Sequence, residues 1–135
     1  MKICVSATAN SLDTQVDPRF GRCPYFIIVN SENMQFEAVP NVAFGAMGGA
    51  GIQAAQTIAG KGAKVLITGN VGPNAFQALA AAGVKVVVGA SGTVRQVVEK
   101  YKRGELRETN SATVGGHFGM GRDGGRGQER RGRET

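Results

Sequence analysis

Three short segments hold the groups with which this chain could do chemistry. Gly48-Gly49-Ala50-Gly51 opens a helical pattern, and Gly69-Asn70-Val71-Gly72-Pro73-Asn74 opens another after an apolar strand. The first N–H groups of a helix have no partner inside it, and glycine leaves them uncovered, so two such starts suit an anion. The competing reading of Gly48–Gly51 is packing, with glycine letting helix and sheet approach closely. The third segment, Arg19-Phe20-Gly21-Arg22-Cys23-Pro24, adds two cations and a thiol. Arg19 and Arg22 can neutralise a bound anion, or pair with Asp17 at the surface. Cys23 beside Arg22 is expected to have a lowered pKa, which favours the thiolate that binds soft metals; otherwise it is a small apolar residue at a strand entry. Met47 before the first glycine-rich helix, and His117 with Met120 in the tail, are further candidate metal contacts. Cys4 sits mid-strand and reads as core.

Other chemistries fit the residues less well. Gly49-x-Gly51-x-x-Ala54 matches a dinucleotide fingerprint, but a loop precedes it. Thr68 and Gly69 also stand where the ribose-binding acid would be needed. A two-metal nuclease needs carboxylates on central strands, and Ile3–Ala7 and Val65–Thr68 carry none. A Ser–His–Asp hydrolase is excluded in the same way, because the one histidine, His117, lies in the tail. Two thiols cannot close a four-cysteine cluster site. A cluster held here would need a homodimer, non-cysteine ligands or electrostatic cradling.

The elements that must position these groups read as β, ββ, α, β, α, β, α. Ile3–Ala7 is a first strand and residues 10–24 a long loop. Tyr25–Val29 and Met34–Val39 form a hairpin around Asn30-Ser31-Glu32-Asn33. Ile52, Ala55, Ile58 and Ala59 recur at helical spacing and Gly60 and Gly62 close that helix. Val65–Thr68 is a buried strand, and Pro73 suits the first turn of a helix running to Gly83. Val84–Val88 is a strand, and Thr93 caps a helix that Gly104 ends. Alternating strands and helices imply parallel pairing, and the hairpin adds an antiparallel strand: a mixed sheet with helices on both faces. Ligands of such sheets bind beyond the carboxyl ends of the parallel strands, where residues 7–10, 69–74 and 89–92 should gather.

The 135 residues suffice for one domain, with an aliphatic core since aromatics are 6% and tryptophan is absent. The net charge is +6; residues 115–135 hold five arginines against three acids, which leaves +4 for the body. That suits an anionic ligand without indicating nucleic acid. The tail is expected to be disordered, because its eight glycines and few apolar groups cannot repay chain entropy. A solvated tail, one that gathers polyanions, and an RGG-like RNA contact all remain readings of it. No apolar run is long enough for a signal sequence or membrane span, and the two cysteines read as reduced thiols in a cytoplasm.

Arg19-Phe20-Gly21-Arg22-Cys23-Pro24-Tyr25-Phe26, Gly48-Gly49-Ala50-Gly51-Ile52 and Gly72-Pro73-Asn74-Ala75-Phe76 together closely resemble the dinitrogenase iron–molybdenum cofactor biosynthesis family, the NifX-like group that includes the NifB C-terminal domain and the orange proteins. The resemblance spans residues 1–104. It implies a ribonuclease-H-like three-layer α/β/α fold with a five-stranded mixed sheet. It also implies a non-catalytic protein that binds or carries iron–molybdenum cofactor precursors or related metal–sulfur clusters, with cofactor-assembly proteins as partners. Orange-protein relatives hold an anionic molybdenum–copper sulfide cluster. Some small members carry similar basic tails, including a form linked to iron–sulfur storage.

The expectation is therefore a domain over residues 1–104, a linker over 105–114 and a disordered tail over 115–135. The cargo would lie over Gly48, Gly49, Ala50, Gly51, Gly69, Asn70, Gly72 and Asn74, beside Arg19 and Arg22, with Cys23, Met47 and His117 as metal contacts. The alternatives are an iron–sulfur storage or assembly protein whose tail drives association, and a small-anion-binding regulatory module.

Overall fold

The computed structural model describes residues 1–42 and 50–109. Met47, Gly48, Gly49, His117, Met120 and the tail lie outside the described residues. Five strands, β1 (Lys2–Ala7), β2 (Tyr25–Asn30), β3 (Phe36–Pro40), β4 (Val65–Ile67) and β5 (Lys85–Val87), form one sheet in the order β3-β2-β1-β4-β5. β1 pairs antiparallel with β2 and β2 with β3, while β1–β4 and β4–β5 are parallel. The expected mixed α/β sheet, with one strand running against the rest, is thus present.

Strand alternation sorts the core into two layers. Cys4, Phe26, Ile28, Leu66 and Val86 face α1 (Ala50–Gly60) and α2 (Pro73–Ala81), which contribute Ala54, Ala55, Ile58, Ala75 and Leu79. Ile3, Val5, Ile27, Ile67 and Val87 face α3 (Val94–Lys102), whose Val94, Val97 and Val98 recur at helical spacing and are buried. Two helices therefore cover one face and a single helix the other. Among the described residues no helix is long and apolar enough to cross a membrane.

Strand and helix ends differ from the periodicity by a residue or two, and three larger departures have a local reason. β3 starts at Phe36 rather than Met34, because Met34 takes a left-handed φ of 62° and its N–H returns to the Asn30 carbonyl at 2.8 Å. That extends the hairpin turn. Residues 10–24 are no free loop: Val16 bridges to Ala7, Gln15 to Thr93 and Arg19 to Asn70, and Phe20–Arg22 winds into a single 3₁₀ turn. Leu12, Val16 and Phe20 are buried. The segment beyond α3 also folds back, with the Thr109 N–H donating to the Val86 carbonyl at 2.7 Å and Lys85 pairing with Glu108. Residues 108 and 109 of the expected linker therefore lie along part of the β5 edge.

Candidate functional site

The carboxyl end of β4 turns into α2 through Gly69–Gly72, and the strand must leave the sheet beside the segment that follows β1. Glycine at 69 is what lets the two backbones touch. A Cβ there would sit 2.6 Å from Pro18 Cα, closer than carbon atoms approach. Asn70 donates its N–H to the Pro18 carbonyl at 2.8 Å and bridges to Arg19, so residues 18–22 are carried on the β4–α2 turn. On the other side a Cβ on Gly21 would lie 3.1 Å from the Gly51 nitrogen, and one on Gly51 would lie 2.9 Å from Ala75 Cβ. Gly21, Gly51 and Ala75 are therefore points of close approach between the 3₁₀ turn, α1 and α2. Gly51 thus packs closely, against a second helix and not the sheet, and it also lines the cleft formed here. The buried Asn41 holds the turn from beneath, its Nδ2 donating to the carbonyls of Gly21 at 3.2 Å and Cys23 at 2.8 Å.

These contacts enclose a cleft of about 480 Å³, within the range of small-ligand sites. One wall is Arg19–Arg22, the second the first described residues of α1 (Ala50–Ile52), and the third the start of α2 (Asn70–Ala75). The described lining holds two arginines and no acid. α2 has Gly72 as its N-cap without a side-chain hydrogen bond, and Pro73 contributes no N–H. The positive end of that helix is thus presented by Asn74 and Ala75.

Of the residues expected at the site, Arg19, Arg22, Ala50, Gly51, Asn70, Gly72 and Asn74 come together on this cleft. Gly69 does not line it and packs against Pro18 instead. Residues 7–10 and 89–92 reach the same edge of the sheet but lie off the cleft. There the Gly89 N–H meets the Gly69 carbonyl at 2.8 Å, and Gly92 accepts from the Val16 N–H at 2.9 Å. Phe20, Gly21, Ile52, Val71, Pro73 and Ala75 also line it and were not among the expected site residues. The signal for Phe20 was available, since an aromatic between two arginines in a polar loop needs a place to be buried; its ring packs 5.5 Å from that of Phe26.

The two arginines differ. Arg19 is tied to Asp17, its Nε 3.1 Å from Oδ1 and its Nη2 3.0 Å from Oδ2. The surface pair weighed against anion binding does form, yet the Arg19 side chain remains 61% exposed at the cleft. Burial raises the Asp17 pKa, but the hydrogen bonds and charge of Arg19 outweigh it and leave the carboxyl below its usual 3.8. Arg22 also lines the cleft.

Cys23 reverses the expected chemistry. Its thiol is fully buried behind the Arg19–Arg22 wall and donates to the Phe20 carbonyl at 3.3 Å. Burial, reinforced by the nearby Asp17 charge, pushes it up to about 12, against the smaller opposing effects of backbone N–H groups and Arg19. A cation next in sequence did not lower this pKa, because desolvation of the thiolate is the larger effect. Cys4 is buried and raised for the same primary reason. Among the described residues no group of three or more His, Cys, Asp or Glu is placed to hold a metal ion. The donors among the described lining are guanidinium, amide and backbone N–H, groups that suit an anion.

The apo form of the orange protein from Desulfovibrio gigas superposes with a TM-score of 0.82 at 44% identity, covering 84% of this chain and 96% of that one. A candidate NifB protein from Thermotoga superposes with a TM-score of 0.73 at 35% identity, covering 84% and 97%. An uncharacterized protein from Methanocaldococcus jannaschii is 31% identical over 111 residues, 80% of this chain and 91% of its own length. The family model for the dinitrogenase iron–molybdenum cofactor matches residues 1–104, and the chain belongs to that family.

Proposed function

We propose that this protein is a non-catalytic carrier that holds an anionic metal–sulfur cluster, or a precursor of the iron–molybdenum cofactor, as cargo in the cleft between Arg19–Arg22, α1 and α2. One observation carries the reading: a cleft whose described lining holds two arginines and no acid, where the uncapped start of α2 meets the first described residues of α1. Anions are favoured there by charge and by N–H donors together. Family membership supports a cofactor-related role, and the likeness to the orange protein supports a metal–sulfur cargo. Cys23 is not needed as a ligand in this reading. The cargo arrives with its metals already bound by sulfide, and the protein supplies charge and shape. Met47, Gly48, Gly49 and His117 remain candidate additional contacts. The strand order 3-2-1-4-5 supports the ribonuclease-H-like assignment of the fold, and two buried free thiols suit a reducing cytoplasm.

The test is a titration of the anaerobically purified full chain with tetrathiomolybdate, alongside metal and sulfide analysis of protein from the native organism. Binding is expected in the wild type and should be lost in Asn74→Asp, which sets a carboxylate on the exposed first turn of α2. Metal-free native protein that takes up no thiomolybdate sinks the cluster reading. Retention of phosphate instead would assign the cleft to small oxyanions.

A further inference from the structure

Behind the Arg19 wall of the cleft lies a carboxylate that anion binding alone does not explain. Asp17 is 2% exposed. Its backbone is bolted to β1: its N–H donates to the Ser6 carbonyl at 2.8 Å, and its carbonyl accepts from the Ser6 hydroxyl at 2.6 Å. Ser6 Oγ in turn lies 2.7 Å from Thr68 Oγ1 at the end of β4. From this fixed base the carboxylate takes three hydrogen bonds from one residue: the Arg19 backbone N–H at 2.9 Å, Nε at 3.1 Å and Nη2 at 3.0 Å. A fork of this kind grips one edge of the guanidinium and leaves Nη1 and the remaining Nη2 hydrogen free of it. Arg19 meanwhile lines the cleft.

A buried negative charge beside an anion site is costly on two counts, desolvation and repulsion of the cargo. We infer that Asp17 is a positioning residue for the cargo site: its buried fork holds the Arg19 guanidinium in one orientation, with the outer donors toward the cleft, so that charge is presented preorganised. The inference rests on the anion-carrier reading. Preorganisation raises affinity by removing the ordering cost from the binding step. It also makes a prediction whose sign is unusual. Removing a nearby negative charge should tighten an anion if Asp17 acts only through space; removing the fork should loosen it.

The full chain and its Asp17→Asn, Arg19→Lys, Arg19→Gln and Asp17→Asn/Arg19→Gln variants are titrated with tetrathiomolybdate at low ionic strength. Asp17→Asn is expected to bind about tenfold more weakly, the scale of one charge-assisted hydrogen bond, and to cause no further weakening in the Arg19→Gln background. Equal or tighter binding by Asp17→Asn overturns the inference. Should Asp17→Asn fail to fold, Arg19→Lys decides. It keeps the charge and leaves Asp17 on Ser6 but cannot be forked, so it should weaken binding similarly, and wild-type affinity in it overturns the inference. The Arg19 Nε–H resonance gives a readout without cargo: it should exchange more slowly than that of the exposed Arg107. Free exchange of Arg19 overturns the inference even if thiomolybdate binds. A wild type that binds no thiomolybdate while Arg19 stays protected overturns the carrier reading and the role of Asp17 in it, leaving a clamp of purely structural use.

Discussion

α2 and α3 start at the same edge of the same sheet and finish their first turns in opposite ways. At α3 every early donor is used within the protein. The Val94 N–H donates to the Thr14 carbonyl at 3.0 Å, Arg95 to Leu12 at 2.8 Å, and Gln96 to the Thr93 hydroxyl at 3.1 Å, while Gln96 Oε1 accepts from the Thr93 N–H at 2.9 Å. This capping box closes the helix end. At α2 the cap is Gly72, which offers no side chain, and Pro73 has no N–H to satisfy. The same backbone physics thus yields a sealed end on one face and a receptive end on the other. A helix start becomes a candidate site when the chain withholds the groups that would ordinarily satisfy it.

The contrast depends on the 17–22 segment resting on the β4–α2 turn, and breaking that joint should have the largest effect. Gly69→Ala drives a Cβ into the Pro18 backbone and is expected to cost about 3 kcal/mol, measured by chemical denaturation, with cargo binding lost as the wall shifts. Thr93→Ala removes the cap of α3 and should cost about 1 kcal/mol while leaving thiomolybdate affinity unchanged; a matching fall in affinity would show that the two ends are not independent. Asn74→Asp sharpens the comparison from the other side. An acid in the first turn of α2 should stabilise the fold by about 0.5 kcal/mol while abolishing anion binding, so stability and function move in opposite directions.

The smallest effect at neutral pH concerns the thiol behind the Arg19–Arg22 wall. The folded pKa of Cys23 is raised from 9.0 to about 12, so the neutral thiol is favoured by folding. Its stabilisation is whole below pH 9 and is lost as pH rises from about 9 through about 12. Urea midpoints should therefore be insensitive to this group from pH 6 to 8 and fall above about 9. Native protein should react with iodoacetamide at pH 8 far more slowly than urea-unfolded protein. Rapid native alkylation would place Cys23 in a reactive role after all.

The order of strands and helices was readable because each element carries its own periodicity or terminator. Val94, Val97 and Val98 mark the buried stripe of α3, and Pro73 marks the first turn of α2. The bare start of α2 was readable because glycine and proline leave a helix start without a side-chain cap wherever they occur there. The fold-back of residues 10–24 was not. Single bridges such as Arg19 to Asn70 and Gln15 to Thr93 have no period, and their partners lie far along the chain.

What the sequence by itself determined is therefore local: which residues become helix or strand, where charge is absent, and which helix ends lack a cap. Tertiary structure alone decided the roles that depend on neighbours. It turned Cys23 from an expected thiolate into a buried thiol, since desolvation depends on what covers a group rather than on what precedes it. It gave Arg19 both a buried partner and an open edge, and it made Gly51 and Gly69 contact points between backbones. Those outcomes depend on distances between residues remote in the chain, and such distances exist only once the sheet has brought them together.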